Sequence, residues 1–187
     1  SLGSVTSNAA VLTVNSTPPA NDNFANAQVL AGNAGTVTGT NANATGETGE
    51  PTHWTSGGTA SSVWYSWTPS VAGTATLDTI GSNFDTVLAV YTGSSLTSLI
   101  QIGQDDYSGG GSASKLTFAV AVGTTYRIAV GGYSSTTRGS LTLNYALVTP
   151  PVIAGQPASQ TGTIGGSASF AVTASGSGLN YQWFRNG

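Results

Sequence analysis

The residues that could carry acid–base or nucleophilic chemistry are few in this chain of 187 residues. It has one histidine, His53, no cysteine, and seven Asp and Glu side chains in total. A hydrolytic triad would have to be built around that single imidazole, and no G-x-S-x-G nucleophile elbow is present. We therefore interpret His53 as a turn or surface residue rather than as a general base.

Two pairs of neighbouring acids, Glu47 with Glu50 and Asp105 with Asp106, have the residue types of a glycosidase. The two carboxylates of a glycosidase must stand at a set separation across a sugar, and sequence neighbours in one loop seldom do. The sequence therefore predicts a protein that is not an enzyme and has no catalytic residues.

Calcium binding is the chemistry that the acids favour. Ca²⁺ takes roughly six to eight oxygen ligands, which irregular loops at the ends of a β-sandwich can supply. Asp78 is the one acid that we place inside a strand. The acids predicted to lie in loops are Asp22, Glu47, Glu50, Asp85, Asp105 and Asp106.

A structural interpretation of the same acids stays open beside the calcium hypothesis. Asp22 and Asn23 could cap a short helix over residues 23–30, and Asp85 and Asp105 could make turns. The acids would then shape loops without binding an ion.

Short alternating runs fill most of the chain and predict an all-β protein. Gly is 26 of 187 residues, and β-branched residues with Gly, Asn and Ser favour strands and tight turns over helices. Several strands at short spacing, each with one apolar face, predict a jelly-roll-like β-sandwich of two sheets. The predicted strands are 35–40, 62–67, 73–79, 85–93, 99–104, 115–120, 125–130 and 140–147.

Period-two alternation also predicts which strand faces meet in the core. In residues 62–67, Tyr65 and Trp67 are expected in the core, with Trp64 on the other face under a loop or the second sheet. Residues 87–91 are apolar on both faces and are predicted to form a central strand. The side chains expected to share one core are Leu116, Phe118, Val120, Tyr126, Ile128, Val130, Leu141, Leu143 and Tyr145.

Three aromatic residues in predicted loops, Trp54, Tyr107 and Tyr133, raise an alternative to a purely structural role. A loop Trp near a Tyr can stack on a sugar ring or dock a peptide. We keep glycan or protein binding by these three residues as the second hypothesis.

The tripeptide Thr-Pro-Pro occurs at residues 17–19 and again at residues 149–151. Proline fixes its own φ and extends the preceding residue, so each copy predicts a short, semi-rigid connector. The predicted units are a terminal strand (1–16), a linker (17–20), the sandwich (21–147), a second linker (148–151) and a partial domain (152–187).

Both flanking units resemble parts of bacterial immunoglobulin-like domains. The strings "QPASQT", "GGSASFAVTASG" and "LNYQWFRNG" resemble strands A to C, with Trp183 as the core Trp of strand C. Val172 stands about where an antibody-type domain carries its first cysteine, so no disulfide is expected. Residues 1–16 resemble the strand G that closes such a domain.

The central unit resembles the bacterial pre-peptidase C-terminal type of domain. The resemblance rests on "NDNFANAQVL", "GETGEPTH", "SVWYSWTPSVAGTATLDTIGSNFDTVLAVYTG" and "GTTYRIAVGGY". It implies a non-catalytic β-sandwich of the kind appended to secreted proteases and found between immunoglobulin-like repeats. Collagen-binding relatives bind Ca²⁺ through residues that match Asn21, Asp22, Glu47 and Glu50 here, although residues 18–20 replace further glutamates of those relatives.

Charge and hydropathy restrict the partners. The net charge of −3 and the pI near 4.6 leave no basic patch for nucleic acid, and no apolar run reaches the roughly 20 residues of a membrane helix. We expect an extracellular, calcium-stiffened structural or adhesive module of a large secreted or cell-surface bacterial protein. Its expected partners are neighbouring immunoglobulin-like domains, either within one tandem array or in a head-to-tail, homo-oligomeric fibre. The alternative is a carbohydrate- or protein-binding accessory domain of a secreted hydrolase.

Overall fold

A computed structural model gives the structure of residues 16–54 and 61–185. The strands are β1 (Gln28–Leu30), β2 (Ala34–Thr40), β3 (Val63–Trp67), β4 (Gly73–Asp78), β5 (Thr86–Thr92), β6 (Ile100–Asp105), β7 (Lys115–Val120), β8 (Tyr126–Gly132), β9 (Ser140–Val148), β10 (Val152–Gly155) and β11 (Thr173–Ser175). Two short 3₁₀ turns cover Phe24–Asn26 and Leu96–Ser98. In this part of the chain, no helix has the length and apolarity needed to cross a membrane. The predicted strand over residues 1–16 lies outside the described residues, except for Ser16.

Nine strands form two packed sheets, which confirms the predicted all-β sandwich. One sheet has the order β1-β3-β8-β5-β6 and the other the order β2-β9-β4-β7. Every pairing in the two sheets is antiparallel except that of β1 with β3. The strands predicted from alternation correspond to β2 through β9, and β5 lies inside its sheet as expected.

The alternative prediction of a short helix over residues 23–30 is wrong. Only Phe24–Asn26 make a 3₁₀ turn, and the Asn23 side chain makes no capping hydrogen bond. Residues 28–30 instead pair in parallel with β3 and bury Leu30. Sheet pairing and burial therefore decide the conformation of this segment.

The main core lies between the two sheets, as predicted. Tyr65 and Trp67 of β3 are fully buried there. At the edge of the core the Tyr145 hydroxyl donates to the carbonyl of Ala31 at 2.7 Å. A Cβ on Gly35 would lie 2.6 Å from that hydroxyl oxygen, so the close approach of Tyr145 requires glycine. The predicted core faces of β7, β8 and β9 all contribute, through Leu116, Phe118, Val120, Tyr126, Ile128, Val130, Leu141, Leu143 and Tyr145.

A second, smaller apolar cluster lies on the outer face of the five-stranded sheet. It contains Phe24, Trp64, Ala89, Tyr91 and Ala129. The 3₁₀ turn at residues 24–26 and the described part of the following loop, residues 41–54, cover it through Phe24 and His53, so a loop covers Trp64. This covered outer face carries the candidate site.

The C-terminal unit contains one antiparallel pair, β10 with β11. The strands expected over residues 156–161 and 179–183 do not form, the one expected over residues 165–176 is limited to Thr173–Ser175, and Trp183 is 57% exposed rather than in a core. A strand needs a neighbour to satisfy its backbone groups, and the described residues place none beside residues 179–183. The immunoglobulin-like character of this unit stays a prediction.

Candidate functional site

The loop over residues 41–54 folds back onto the outer face of the five-stranded sheet. Its first residue, Asn41, is fully buried and donates from its side-chain amide to the carbonyls of Ser61 (3.2 Å) and Thr137 (3.1 Å). The Asn41 amide oxygen accepts from the Gly139 N–H at 2.8 Å. These three bonds fix where the loop leaves β2.

The far end of the loop brings His53 into the outer cluster, where it is fully buried. Its Nε2 lies 2.8 Å from Glu50 Oε1, and its Nδ1 lies 2.8 Å from the Tyr91 hydroxyl. The Trp64 ring meets the imidazole edge-on, with 5.2 Å between ring centroids. The prediction of His53 as a turn or surface residue is wrong, because both ring nitrogens have partners in an aromatic pocket.

Glu50 is the acceptor at the centre of this buried cluster. Besides His53, it accepts from the Ser62 hydroxyl and from the Glu47 N–H, the latter at 2.8 Å. Burial raises the pKa of Glu50, but the hydrogen bonds from His53, Ser62 and the Glu47 backbone outweigh it, so the net shift is downward. Burial, and then the charge of Glu50, raises the pKa of Tyr91. Glu50 is therefore a carboxylate and Tyr91 a neutral phenol at neutral pH.

The cluster has acid–base residue types in a geometry that holds structure. Ser62 donates to Glu50 and not to His53, so the serine–histidine contact of a hydrolytic triad is not formed. His53 and Ser62 are fully buried beneath the loop. The bonds of His53 and Glu50 join the loop to Tyr91 of β5 and to Ser62 beside β3, so the cluster holds the loop on the sheet.

The chain entering the sandwich is tied to the same region. The Asn21 carbonyl accepts from the Trp64 N–H at 2.8 Å, and its side-chain amide donates to the Trp64 carbonyl at 3.0 Å. Asp22 accepts from the Thr45 N–H at 2.7 Å and from the Thr45 hydroxyl at 2.8 Å. Glu47 accepts from the Phe24 N–H. The loop and the entering chain thus hold each other through carboxylates.

The residues proposed for calcium, Asn21, Asp22, Glu47 and Glu50, therefore come together around the entering chain. Both oxygens of Asp22 and of Glu50, and one oxygen of Glu47, however, accept hydrogen bonds from protein donors. Among the described residues, no group of three or more His, Asp and Glu side chains is placed to hold a metal ion. As arranged, these residues do not fit a calcium ion, and calcium binding stays a prediction.

The remaining candidate acids lie near the end of β6. Asp105 accepts from two backbone N–H groups at 2.8 and 2.9 Å, as a turn-making residue does. It is also the last residue of β6, so the placement of Asp78 as the one acid inside a strand is wrong. Burial, then Asp85 and Asp105, raises the pKa of Asp106, which is 9% exposed. Whether these acids bind an ion stays a prediction.

The three aromatic residues proposed for ligand binding follow strand ends at one end of the sandwich. Trp54 is half-buried, whereas Tyr107 and Tyr133 are 67% and 40% exposed. The binding of a glycan or protein by these three residues stays a prediction.

Sequence reasoning missed Ser62 and Tyr91 as members of the cluster. Tyr91 belongs to a strand whose apolar pattern predicts burial, and its hydroxyl is the one signal that a polar partner must be found. Glu50 and His53 are three residues apart, but Tyr91 is 38 residues from His53, so only the folded chain shows the group.

Comparison with known proteins gives structural similarities alone. No family model matches the sequence, and no curated protein matches it. The pre-peptidase C-terminal domain of collagenase from Bacillus anthracis is similar in structure, with 12% identity and a TM-score of 0.42. That similarity covers 64% of this chain and 93% of the other. The Yersinia pseudotuberculosis-derived mitogen is similar with 17% identity and a TM-score of 0.37, over 62% of this chain and 86% of that one. The first of these is a domain of the type that the sequence resembles.

Proposed function

We propose that this chain is a non-catalytic structural module of a large secreted or cell-surface bacterial protein, and that it spaces and orients the units on either side of it. The observation that carries the proposal is that hydrogen bonds hold Asn21 and Asp22, directly after the entering connector, and Thr149 of the leaving connector, at opposite ends of the sandwich. The buried acid–base cluster supports it, since the cluster fastens the loop that holds the entering connector.

The two connectors reach the sandwich at different ends. The entering chain lies beside the first half of β3, where Asn21 bonds both backbone groups of Trp64. The connection from β3 to β4 is short, so β4 starts at the other end. Val148, the last residue of β9, pairs with Thr74 near that start of β4. Because the polypeptide enters the sandwich at one end and leaves it at the other, the neighbouring units lie on opposite sides of the module.

The leaving connector is also fastened. The Ser177 N–H donates to the Thr149 carbonyl at 3.0 Å, and the Thr149 N–H donates to the Ser177 hydroxyl at 3.2 Å. Gly176 between β11 and this pair has φ +126°, and a Cβ there would lie 2.6 Å from the Pro150 carbonyl oxygen. The hydrogen bonds and the proline pair restrict the joint together.

In this proposal, hydrogen bonds perform the stiffening that the sequence assigned to calcium. Asp22 and Glu47 each bridge the entering chain and the loop over residues 41–54. Glu50 holds the same loop against the sheet through His53 and Ser62. The connector is thereby fixed by groups of the chain itself.

A distance between two spin labels tests the proposed function. The chain has no cysteine, so Thr17→Cys and Val148→Cys place one label at each connector. A strand rises about 3.3 Å per residue, so we expect one narrow distance distribution centred above about 20 Å. A broad distribution, or a centre below about 15 Å, would contradict a spacer with fixed connectors. The single-label variants control for distances between molecules.

Assembly is a second candidate function, favoured by an exposed apolar surface on the C-terminal unit. Phe170, Tyr181, Trp183 and Phe184 are each 52–72% exposed. Exposed apolar patches of this kind mark interaction sites. We propose that β-structure of a neighbouring immunoglobulin-like domain, in the same or an adjacent chain, covers this surface, and that pairing between chains gives a head-to-tail fibre.

Sedimentation measured over a wide concentration range tests the fibre. Larger species that disappear in a Trp183→Lys variant are the expected result. A strictly monomeric wild-type protein at the highest concentration would exclude assembly of this chain with itself. An exposed apolar residue of the sandwich, Val122, supplies the matched control variant Val122→Lys.

A further inference from the structure

A cleft lined by both apolar and polar side chains opens beside the buried cluster, on the outer face of the five-stranded sheet. Its volume is about 480 Å³, within the range of small-molecule sites. The 3₁₀ turn at Phe24 and Ala25, the Glu47 side chain, residues 94–97 and Arg127 of β8 form its walls.

Arg127 is the cation of the cleft, and it has no carboxylate partner in the described part of the chain, where the one ion pair joins Glu50 and His53. Its guanidinium carbon lies 4.8 Å from the centre of the Phe24 ring, in a cation–π contact that fixes the side chain. Its Nε is buried without a hydrogen-bond partner among the described residues. A planar guanidinium held in one place is suited to a carboxylate, which it can bind with two parallel hydrogen bonds.

Glu47 lines the same cleft and restricts which carboxylates fit. One of its oxygens accepts from the Phe24 N–H, and the other has lone pairs for a donor from a ligand. A bare anion would meet repulsion from this carboxylate, whereas a molecule with hydroxyl groups beside its own carboxylate would be bound by both side chains. The hydroxyls of Ser94 and Thr97 at the rim add donors and acceptors of the same kind.

The apolar part of the wall suits a ring. Phe24 and Leu96 line the cleft together with the polar groups. The faces of a sugar ring carry C–H groups, which pack on aromatic and aliphatic side chains while the hydroxyls at the ring edge form hydrogen bonds. Carboxylate, hydroxyls and an apolar face occur together in a sugar acid.

We propose that this cleft binds a uronic acid unit of an acidic polysaccharide. The carboxylate of the sugar lies on Arg127, its hydroxyls donate to Glu47 and contact the rim hydroxyls, and its ring packs on Ala25 and Leu96, whereas Phe24 is buried beneath Arg127. The inference goes beyond the spacer role, and it locates ligand binding away from the exposed aromatic residues of the loops.

A titration of the ¹⁵N-labelled chain with galacturonate, followed by amide chemical shifts, tests the proposal. Galactose is the matched neutral sugar and acetate the matched bare carboxylate. We expect saturable shifts with galacturonate at the amides of residues 24, 25, 47 and 94–97, and weaker binding of both controls by about tenfold or more. Equal binding of galactose or of acetate would overturn the proposal, as would no shift at these amides.

Variants distinguish a loss of ligand binding in the cleft from a loss of folding. Arg127→Gln should weaken galacturonate binding about tenfold or more, and Arg127→Lys, which keeps the charge without the planar fork, should bind with intermediate affinity. Ser94→Trp fills the cleft from an exposed rim position and should abolish binding with an unchanged melting temperature. Unweakened galacturonate binding in Arg127→Gln or Ser94→Trp would refute the assignment. Neither result depends on the distance between the connectors, so the spacer proposal is tested separately.

Discussion

Replacing Glu50 by alanine is the perturbation that bears most directly on the buried cluster. The carboxylate accepts from the His53 imidazole, the Ser62 hydroxyl and the Glu47 N–H. Glu50→Ala removes the acceptor of all three hydrogen bonds and leaves a fully buried imidazole and a fully buried hydroxyl without this partner. The loop over residues 41–54 then loses its main polar contact with the sheet.

The expected loss of stability follows from these contacts. A buried donor left unsatisfied costs about 1–3 kcal/mol, and Glu50 accepts hydrogen bonds from three donors. Because the three donors share one acceptor and the loop can relax, the costs do not add. We expect Glu50→Ala to lower the free energy of unfolding by about 3–5 kcal/mol, a large part of the stability of an ordinary domain.

Urea unfolding followed by tryptophan fluorescence measures this loss, with Trp64 as a reporter inside the cluster. At an m-value of about 2 kcal/mol per molar, the urea midpoint should fall by about 2 M. Asp85→Ala, which removes a half-buried acid elsewhere, is the matched control and should change the free energy by less than about 1 kcal/mol. A Glu50→Ala protein as stable as that control would refute the structural role of the cluster.

Four further outcomes are expected. The folded pKa of Glu50 lies below its ordinary value of 4.5, so its stabilisation is present above that pH and is lost as the pH falls below it; the urea midpoint of the wild type should therefore decline more steeply between about pH 5 and 3 than that of Glu50→Gln. Tyr91→Phe removes a hydroxyl bonded to the buried imidazole and should lower the free energy of unfolding by about 1–2 kcal/mol, whereas Tyr107→Phe at an exposed site should leave it unchanged. Gly35→Ala forces a Cβ against Tyr145 and should cost about 1–3 kcal/mol in the same assay. Calcium and EDTA should each leave the melting temperature unchanged, and a rise of about 2 °C or more with calcium would favour an ion site at the entering chain.

The sandwich could be predicted from the sequence because each long strand has one buried face. Alternation places Trp64 and Tyr65 on opposite faces of β3, and the structure buries them in the two different clusters. The three-residue strand β1 could not be predicted in this way. It is too short for a pattern, and its parallel pairing with β3 depends on contacts 37 residues away in the chain.

The sequence shows which acids lie near the candidate site, but it does not show that His53 is buried there. Asp22, Glu47 and Glu50 do meet, as the resemblance of the sequence implies, because the entering chain and the following loop pack on one sheet face. Nothing local to His53 shows that Tyr91 of a distant strand lies beneath it. A lone histidine in a Gly- and Thr-rich loop has the sequence pattern of a surface residue until the loop is folded.

Amide hydrogen exchange at the entering connector tests the central claim most directly. The N–H groups of Phe24, Thr45 and Trp64 form the hydrogen bonds that hold residues 21–24, directly after this connector. If the connector is part of the rigid module, these amides exchange through the same global opening as the central strands, and their opening free energies equal that of unfolding. Exchange of these three amides at the rate of a frayed terminus, with the central strands still protected, would contradict the account.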